Sequence, residues 1–412
     1  MTERLYYTDP YLVEFGARVV DVVDVDGRPG FVLDRTAFYP TSGGQPFDTG
    51  TLGSARVVDV LDRDDGAIVH LVEGVVDVCV VRIDDADVKF VDGRIDWPRR
   101  FEHMQQHTGQ HVLSAAIERV CGVRTQSFHL GAEAATIDLS RELTSVEILA
   151  SEDAANEVVW ADRPVTVKFV DATDTASLNL RKESARTGTL RIVDVDGFDV
   201  SACGGTHVSR TGAIGVIAVS GWERFRGGTR LEFRCGVRAL RAHRVLRDTV
   251  RDSSALLSTG AGELPQAIER LQTDSKELRR RLKDVDARLA VFEADALAAR
   301  AEPSGSLHIV IATVPDADAA GIKLMAQTVA AKAGHVAVLL TGAAPFSIVV
   351  ARAADATSVD ASRVLKALVG EFGGKGGGRP ELAQGGGLDA PAASVVAAAR
   401  ALLASLTASR QP

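Results

Sequence analysis

With 412 residues, 46% of them hydrophobic and 25% charged, the chain has room for two to four domains and the make-up of a soluble globular protein. Its net charge of −8 argues against a general polyanion binder, although local basic clusters can still contact phosphates. The start lacks the basic-then-apolar pattern of a signal peptide, no run approaches the roughly 20 apolar residues of a membrane span, and four cysteines make no disulfide framework. A reduced, cytoplasmic setting without membrane attachment is therefore expected.

Residues 1–95 read as strands. Apolar or alternating runs at 18–25, 30–33 and 55–61 are punctuated by Asp-Gly turns, and Asp65-Gly66 is a hairpin signal. A β-barrel-like domain is expected there. From 96 to 238 the pattern becomes α/β. Residues 99–121 form a helix stopped by Gly122, and Thr144-Ser-Val-Glu147 is a capping box opening a second helix to about 161. A strand at 164–170 and a hairpin at 191–201 lead into Cys203-Gly-Gly-Thr-His207, and strands at 214–219 and 229–235 close the domain.

Residues 239–303 read as a long helical spacer. Ile268, Leu271, Ser275, Leu278, Leu282, Val285, Leu289 and Phe292 alternate spacings of three and four, as in a coiled coil or a helical hairpin folded on its own chain. Residues 301–306 have linker composition. A C-terminal α/β domain, 304–412, has strands at 307–314, 336–341 and 347–351 and a glycine-rich loop at 370–387. The whole is an α+β multidomain chain.

The chemistry concentrates in two pairs. His107 and His111 lie one helical turn apart, about 6 Å of rise, so their imidazoles share a face. Cys203 and His207 sit on a Gly-Gly loop able to supply two further donors. Three imidazoles and a thiolate suit Zn²⁺, one per chain. His103 and His129 are weaker candidates, and Cys79, Cys121 and Cys235 read as core or inert thiols. Four protein donors usually mark a structural site, whereas a catalytic one keeps a position for water.

Three segments carry a resemblance: residues 100–111 with HxxxH, residues 201–207 with CxxxH, and Thr36-Ala-Phe-Tyr-Pro-Thr-Ser-Gly-Gly-Gln45, with Ser42 where a glycine is usual. Together they resemble the alanyl-tRNA editing proteins of the AlaX family. The glycine-rich stretch 373–387 is similar to the C-terminal domain shared by alanyl-tRNA synthetases and certain phosphoesterases, which points to the long form of the family. The resemblance implies a zinc-dependent hydrolase acting in trans on tRNA(Ala) mischarged with serine or glycine. It also implies zinc held by His107, His111, Cys203 and His207, and a zinc editing domain over residues 96–238.

Selecting a serine hydroxyl requires a polar group near the metal. Thr36 is the choice, with Thr41 and Gln45 beside it; Gln106 and Gln110 are candidates to orient water. Arg99, Arg100, Arg181, Lys182 and Arg186 are candidate phosphate contacts. Lys375 and Arg379 are better placed, in a loop whose amides could form an anion-binding nest. A homodimer through the spacer or the C-terminal domain is a further expectation. Competing readings are an RNA-binding protein with a structural zinc and a metal phosphoesterase, the latter disfavoured by the lack of an Asp-His-His run. A complete alanyl-tRNA synthetase is not expected, as no aminoacylation domain precedes the barrel.

Overall fold

The structure is a computed structural model in which residues 1–83, 86–177, 180–181 and 188–408 are described. They fall into two compact units, 1–253 and 254–412. Residues 1–238 and the first part of the helical spacer, to 253, fall in the first unit, and the rest of the spacer and the C-terminal segment fall in the second.

In the first unit six strands close a barrel. Around the ring run Glu14–Val25, Arg28–Leu33, Ile68–Glu73, Ala55–Asp62, Gly50–Leu52 and Ala86–Ile95, and the last pairs back to the first. Cys79–Ile83 adds to Ala86–Ile95 outside the ring. Closure leaves few unpaired edges, and alternation sends Phe15, Ala17, Val57, Val60 and Val91 inward.

Two polar residues share this buried region. His70 is fully buried; its Nδ1 lies 2.9 Å from Phe31 O and its Nε2 2.8 Å from Thr36 Oγ1. A carbonyl can only accept, so Nδ1 carries the proton and Thr36 donates to Nε2. Burial pushes the His70 pKa down to about 4. With the folded value below the unfolded one, the unfolded state binds the extra proton first, so stability falls as pH drops between those values. We expect His70 to remove about 2 kcal/mol between pH 7 and pH 5. Urea unfolding at both pH values, compared with His70→Gln, checks this; an equal loss in the variant would assign the effect elsewhere.

Helix α1, Trp97–Cys121, starts with Pro98 in its first turn and ends where Gly122 adopts φ 65°. Every residue from His103 to Ile117 is buried, so α1 is a core helix without an amphipathic face. Gln106 brackets it to strand Gly228–Cys235, donating to Cys235 O at 2.9 Å and accepting from Cys235 N at 2.9 Å. A Cβ on Gly109 would lie 2.3 Å from Cys235 Sγ, so the residue between the two histidines has no side chain because the strand packs there. Helix α2, Ser145–Trp160, has the expected reciprocal capping box between Thr144 and Glu147.

A four-stranded antiparallel sheet packs with these helices, in the order Thr125–Leu130, Ala135–Leu139, Gly228–Cys235, Ile217–Phe225. The last begins three residues later than the expected strand, because residues 211–214 form a 3-10 turn. A second sheet joins Val165–Asp171, Thr189–Val195 and Asp199–Ala202. Helix α3, Gly236–Leu257, follows.

The second unit opens with helix α4, Leu264–Ala298. Ala290, Ala294 and Ala298 pack on the domain that follows, while Leu278, Leu282 and Phe292 of the heptad stripe are 65%, 61% and 69% exposed. A hairpin folded onto its own chain does not cover that stripe. Six strands form one sheet in the order Glu302–Ser304, Leu307–Val314, His335–Thr341, Phe346–Arg352, Leu382–Leu388, Lys375–Arg379. Helix α5, Ala319–Ala330, packs in one core cluster, and helices α6, Ala361–Phe372, and α7, Ala392–Ala408, in another.

Two expectations are corrected here. Residues 302–304 are a strand rather than linker, since Gly305 at φ 62° turns the chain back on itself. The glycine-rich stretch is a β-hairpin rather than a nest-forming loop: Lys375–Arg379 pairs with Leu382–Leu388. Its glycines serve close packing, for a Cβ on Gly376 would sit 2.6 Å from Gly385 Cα and 3.0 Å from Leu365 of α6. Among the described residues, no helix is long and apolar enough to cross a membrane.

Candidate metal centre

Helix α1 and the loop after strand Asp199–Ala202 bring His107, His111, Cys203 and His207 together, with all four donor atoms within 4.8 Å of one another. His107 Nε2 lies 3.3 Å and His207 Nε2 3.4 Å from Cys203 Sγ. Zinc bonded to nitrogen and sulfur at its usual lengths needs neighbouring donors roughly 3.3–3.6 Å apart. The donor set fits zinc in its chemistry, and the two nitrogen–sulfur separations match that spacing.

Each imidazole is held from behind. His107 Nδ1 donates to Gln45 Oε1 at 2.9 Å; the same oxygen accepts from Thr206 N at 3.1 Å, and Gln45 Nε2 donates to Thr206 Oγ1 at 2.9 Å. His111 Nδ1 is 3.0 Å from Asp199 Oδ2. His207 Nδ1 is 3.2 Å from Thr108 Oγ1, whose own proton goes to Met104 O. With every Nδ1 engaged as a donor, the three Nε2 lone pairs are left for an ion, which is how metal-binding histidines are oriented.

Without a metal the charges of the cluster are coupled, and an ion that binds here must displace the proton His111 holds on Nε2. Burial alone would raise the Cys203 thiol, but His107 and His207 hold it well below its usual value. Burial pushes His207 down to about 3. For His111 burial also works against the cation, yet Asp199 and Cys203 outweigh it and lift the value to about 9. Asp199 drops to about 2, its burial outweighed by His111 and Arg181. We expect Asp199→Asn to weaken metal affinity about 10–100-fold. Chelator competition measures this, and an unchanged affinity would remove Asp199 from the site.

The glycine turn lies against the centre. Gly43 and Gly44 take φ 55° and 81°, as a tight two-residue hairpin turn requires, between bridged Ser42 and Gln45. Ser42 has no positive φ, so a serine there costs nothing in backbone strain. A Cβ on Gly44 would touch Phe128 at 2.8 Å, and the Phe128 ring sits 5.7 Å from that of His107.

Several expected contacts stand elsewhere. Thr36 is fully buried; its hydroxyl donates to His70 and accepts from Phe38 N, so it is not free for a substrate. Gln45 holds His107 instead of facing a reacting group. Gln106 is the bracket to Cys235, and Gln110 donates to Ser114 Oγ at 2.9 Å. Thr41 is exposed and accepts from Phe47 N. Arg100 is no surface phosphate contact: it is fully buried, paired with Asp48, and donates to Pro10 O and Ala37 O. Arg181 is spent on Asp199, with Nε 2.6 Å from Oδ1, because the carboxylate behind His111 needs a counter-charge. Arg99 is half-buried and donates to Phe47 O. Lys375 and Arg379 are exposed. Lys182 and Arg186 lie outside the described residues.

His103 is buried, its Nδ1 without a partner among the described residues, and its pKa is pushed down to about 3 by burial and nearby arginines; His129 is exposed. Neither joins the four donors. Sequence reasoning missed Asp199 and Thr108. Strand parity carried the signal for the first, since Asp199, Ser201 and Cys203 alternate toward one side. Thr108 simply follows His107.

Residues 190–232 match the threonyl and alanyl tRNA synthetase second additional domain, and residues 306–408 match the DHHA1 domain. This chain carries alanyl-tRNA synthetase-like domains. Cys203 and His207 fall inside the matched second additional domain, while His107 and His111 come from the helix upstream of it. Among curated relatives, the alanine--tRNA ligase of Pyrococcus abyssi is 34% identical over 400 residues, covering 93% of this chain and 42% of that protein. Those of Methanoculleus marisnigri and Natronomonas pharaonis are 35% and 34% identical, each over 94% of this chain and 42% of the relative. The chain thus spans about two-fifths of the length of these relatives. A solved C-Ala domain from Aquifex aeolicus alanyl-tRNA synthetase aligns at 20% identity and TM-score 0.24, covering 26% of this chain and 96% of that one, too slight a likeness to argue from.

Proposed function

We propose that this chain is a zinc-dependent hydrolase that clears mischarged tRNA(Ala), cutting the ester that joins serine, or glycine, to the acceptor end. The observation that carries this is the convergence of His107, His111, Cys203 and His207 beside the glycine turn, in a chain aligned over 93% of its length with alanine--tRNA ligases. When bound, zinc supplies Lewis-acid polarisation of the ester carbonyl or of a water. The chain's own residues aim the three Nε2 atoms through Gln45, Asp199 and Thr108 and hold the sulfur of Cys203 between them. With Thr36 engaged in the barrel and Gln110 donating to Ser114, discrimination of the serine hydroxyl and orientation of water fall to other groups.

Four protein donors leave an open position only if Cys203 yields. That is the feature favouring a second reading, an RNA-binding protein with a structural zinc. Deacylation of Ser-, Gly- and Ala-tRNA(Ala) by the purified chain separates the two. Rapid loss of the seryl ester with the alanyl ester spared is expected; equal stability of all three with and without protein would leave only the structural reading. A metal phosphoesterase lacks support, since among the described residues no second cluster of potential ligands accompanies the first.

Lys375 and Arg379, on an exposed edge strand, and Arg99 at the glycine turn are the phosphate contacts this reading retains. A second copy of the chain is the other partner, through the uncovered stripe of α4 or the domain after it. If α4 forms that interface, Leu282→Asp is expected to halve the mass measured by light scattering. A mass unchanged from wild type would take α4 out of the interface.

A further inference from the structure

Arg191 lies in the middle of strand Thr189–Val195, between Leu190 and Ile192, and is 8% exposed. A buried guanidinium normally has a carboxylate partner. Among the described residues none lies within ion-pair distance of this one. Instead Nη1 donates to Cys203 O at 2.8 Å and to Gly205 O at 2.9 Å, the carbonyls flanking Gly204. Nε donates to Tyr7 O at 3.1 Å, and the guanidinium carbon lies 5.5 Å from the centre of the Tyr7 ring. The main chain adds a third tie to the loop, from Cys203 N to Arg191 O at 3.0 Å. Nη2 is buried with no hydrogen-bond partner among the described residues.

We propose that Arg191 is a positioning residue for the metal centre, which sets the direction of Cys203 Sγ by gripping the Cys-Gly-Gly turn on both sides. The inference rests on the metal reading of the four-residue cluster. A free turn of two glycines has many conformations. Holding Cys203 O and Gly205 O on one nitrogen selects the conformation in which Sγ accepts from Gly205 N at 3.4 Å and lies between His107 Nε2 and His207 Nε2. A planar fork suits this task; a lysine ammonium, a point charge on a flexible stem, does not. The Cys203 sulfur, anionic when it ligates, also gives the buried cation the counter-charge that no carboxylate among the described residues provides.

The test uses the full chain with Arg191→Lys and Arg191→Gln, each in the wild-type and the Cys203→Ala background. Cobalt(II) affinity is measured by chelator competition, and the sulfur-to-cobalt charge-transfer absorption is recorded. Both Arg191 variants are expected to lose about 10–100-fold in affinity and to weaken or shift that absorption when Cys203 is present. In the Cys203→Ala background the same changes are expected to cost less than threefold. Equal losses in both backgrounds, or an unchanged absorption, would make Arg191 a general structural staple and overturn the proposal. Circular dichroism of the metal-free variants establishes folding, with Arg191→Lys as the milder change if Arg191→Gln unfolds. A wild-type chain that binds no cobalt would instead overturn the metal reading, and this proposal with it.

Discussion

Gly205→Ala is expected to abolish metal binding at this centre while Gly204→Ala leaves it nearly intact. A methyl on Gly205 would lie 2.1 Å from His107 Cε1, 2.3 Å from its Nδ1 and 3.1 Å from Gln45 Oε1. No side-chain rotation relieves the clash without breaking the Gln45–His107 hydrogen bond, which fixes the tautomer of that ligand. A methyl on Gly204 meets nothing closer than Tyr7 Oη at 3.6 Å, an ordinary contact. Neither glycine has a positive φ, so the contrast is one of space rather than backbone conformation. Affinity by chelator competition should fall by at least 100-fold for Gly205→Ala, as for loss of an oriented ligand, and by only a few-fold for Gly204→Ala. Similar affinities for the two variants would mean that the loop sits differently from what is described.

The second large effect concerns Arg100. Its guanidinium and the Asp48 carboxylate are both fully buried, with Nε 3.0 Å from Oδ2. Asp48 also accepts from Tyr39 N at 2.7 Å, so the pair ties α1 to the segment that carries the glycine turn. Removing one member strands the other charge, and such losses amount to about 3–5 kcal/mol. Arg100→Ala is therefore expected to lower unfolding free energy by that amount in urea. A loss below about 1 kcal/mol, accompanied by weaker tRNA binding, would restore the surface role that the sequence suggests.

The contrast between Arg100 and its neighbours shows what the residues reveal by themselves. His107 and His111 at a four-residue spacing, and Cys203 and His207 around two glycines, have a periodicity and a chemistry that only a few arrangements satisfy. The barrel strands, the capping box at Thr144 and the stop at Gly122 are likewise local signals, set by neighbours within a few positions. The partners behind the ligands come from far along the chain: Gln45 reaches His107 across 62 positions and Asp199 reaches His111 across 88. No local pattern encodes such pairings. Arginines mislead for the same reason, since Arg100 and Arg181 look like surface cations until the fold places them against Asp48 and Asp199. The glycine-rich segment misleads differently. Its composition suits a loop, but close strand packing under Leu365 uses the same absence of side chains.

The proposed function requires that these four side chains hold a metal and that this metal support ester cleavage. The most direct measurement is the single-turnover rate of Ser-tRNA(Ala) deacylation as zinc is titrated back into chelated protein, beside His107→Ala. The rate should rise in proportion to bound zinc and level off at one ion per chain, while the variant stays flat. Full deacylation by the zinc-free protein, or by His107→Ala without bound metal, would contradict it.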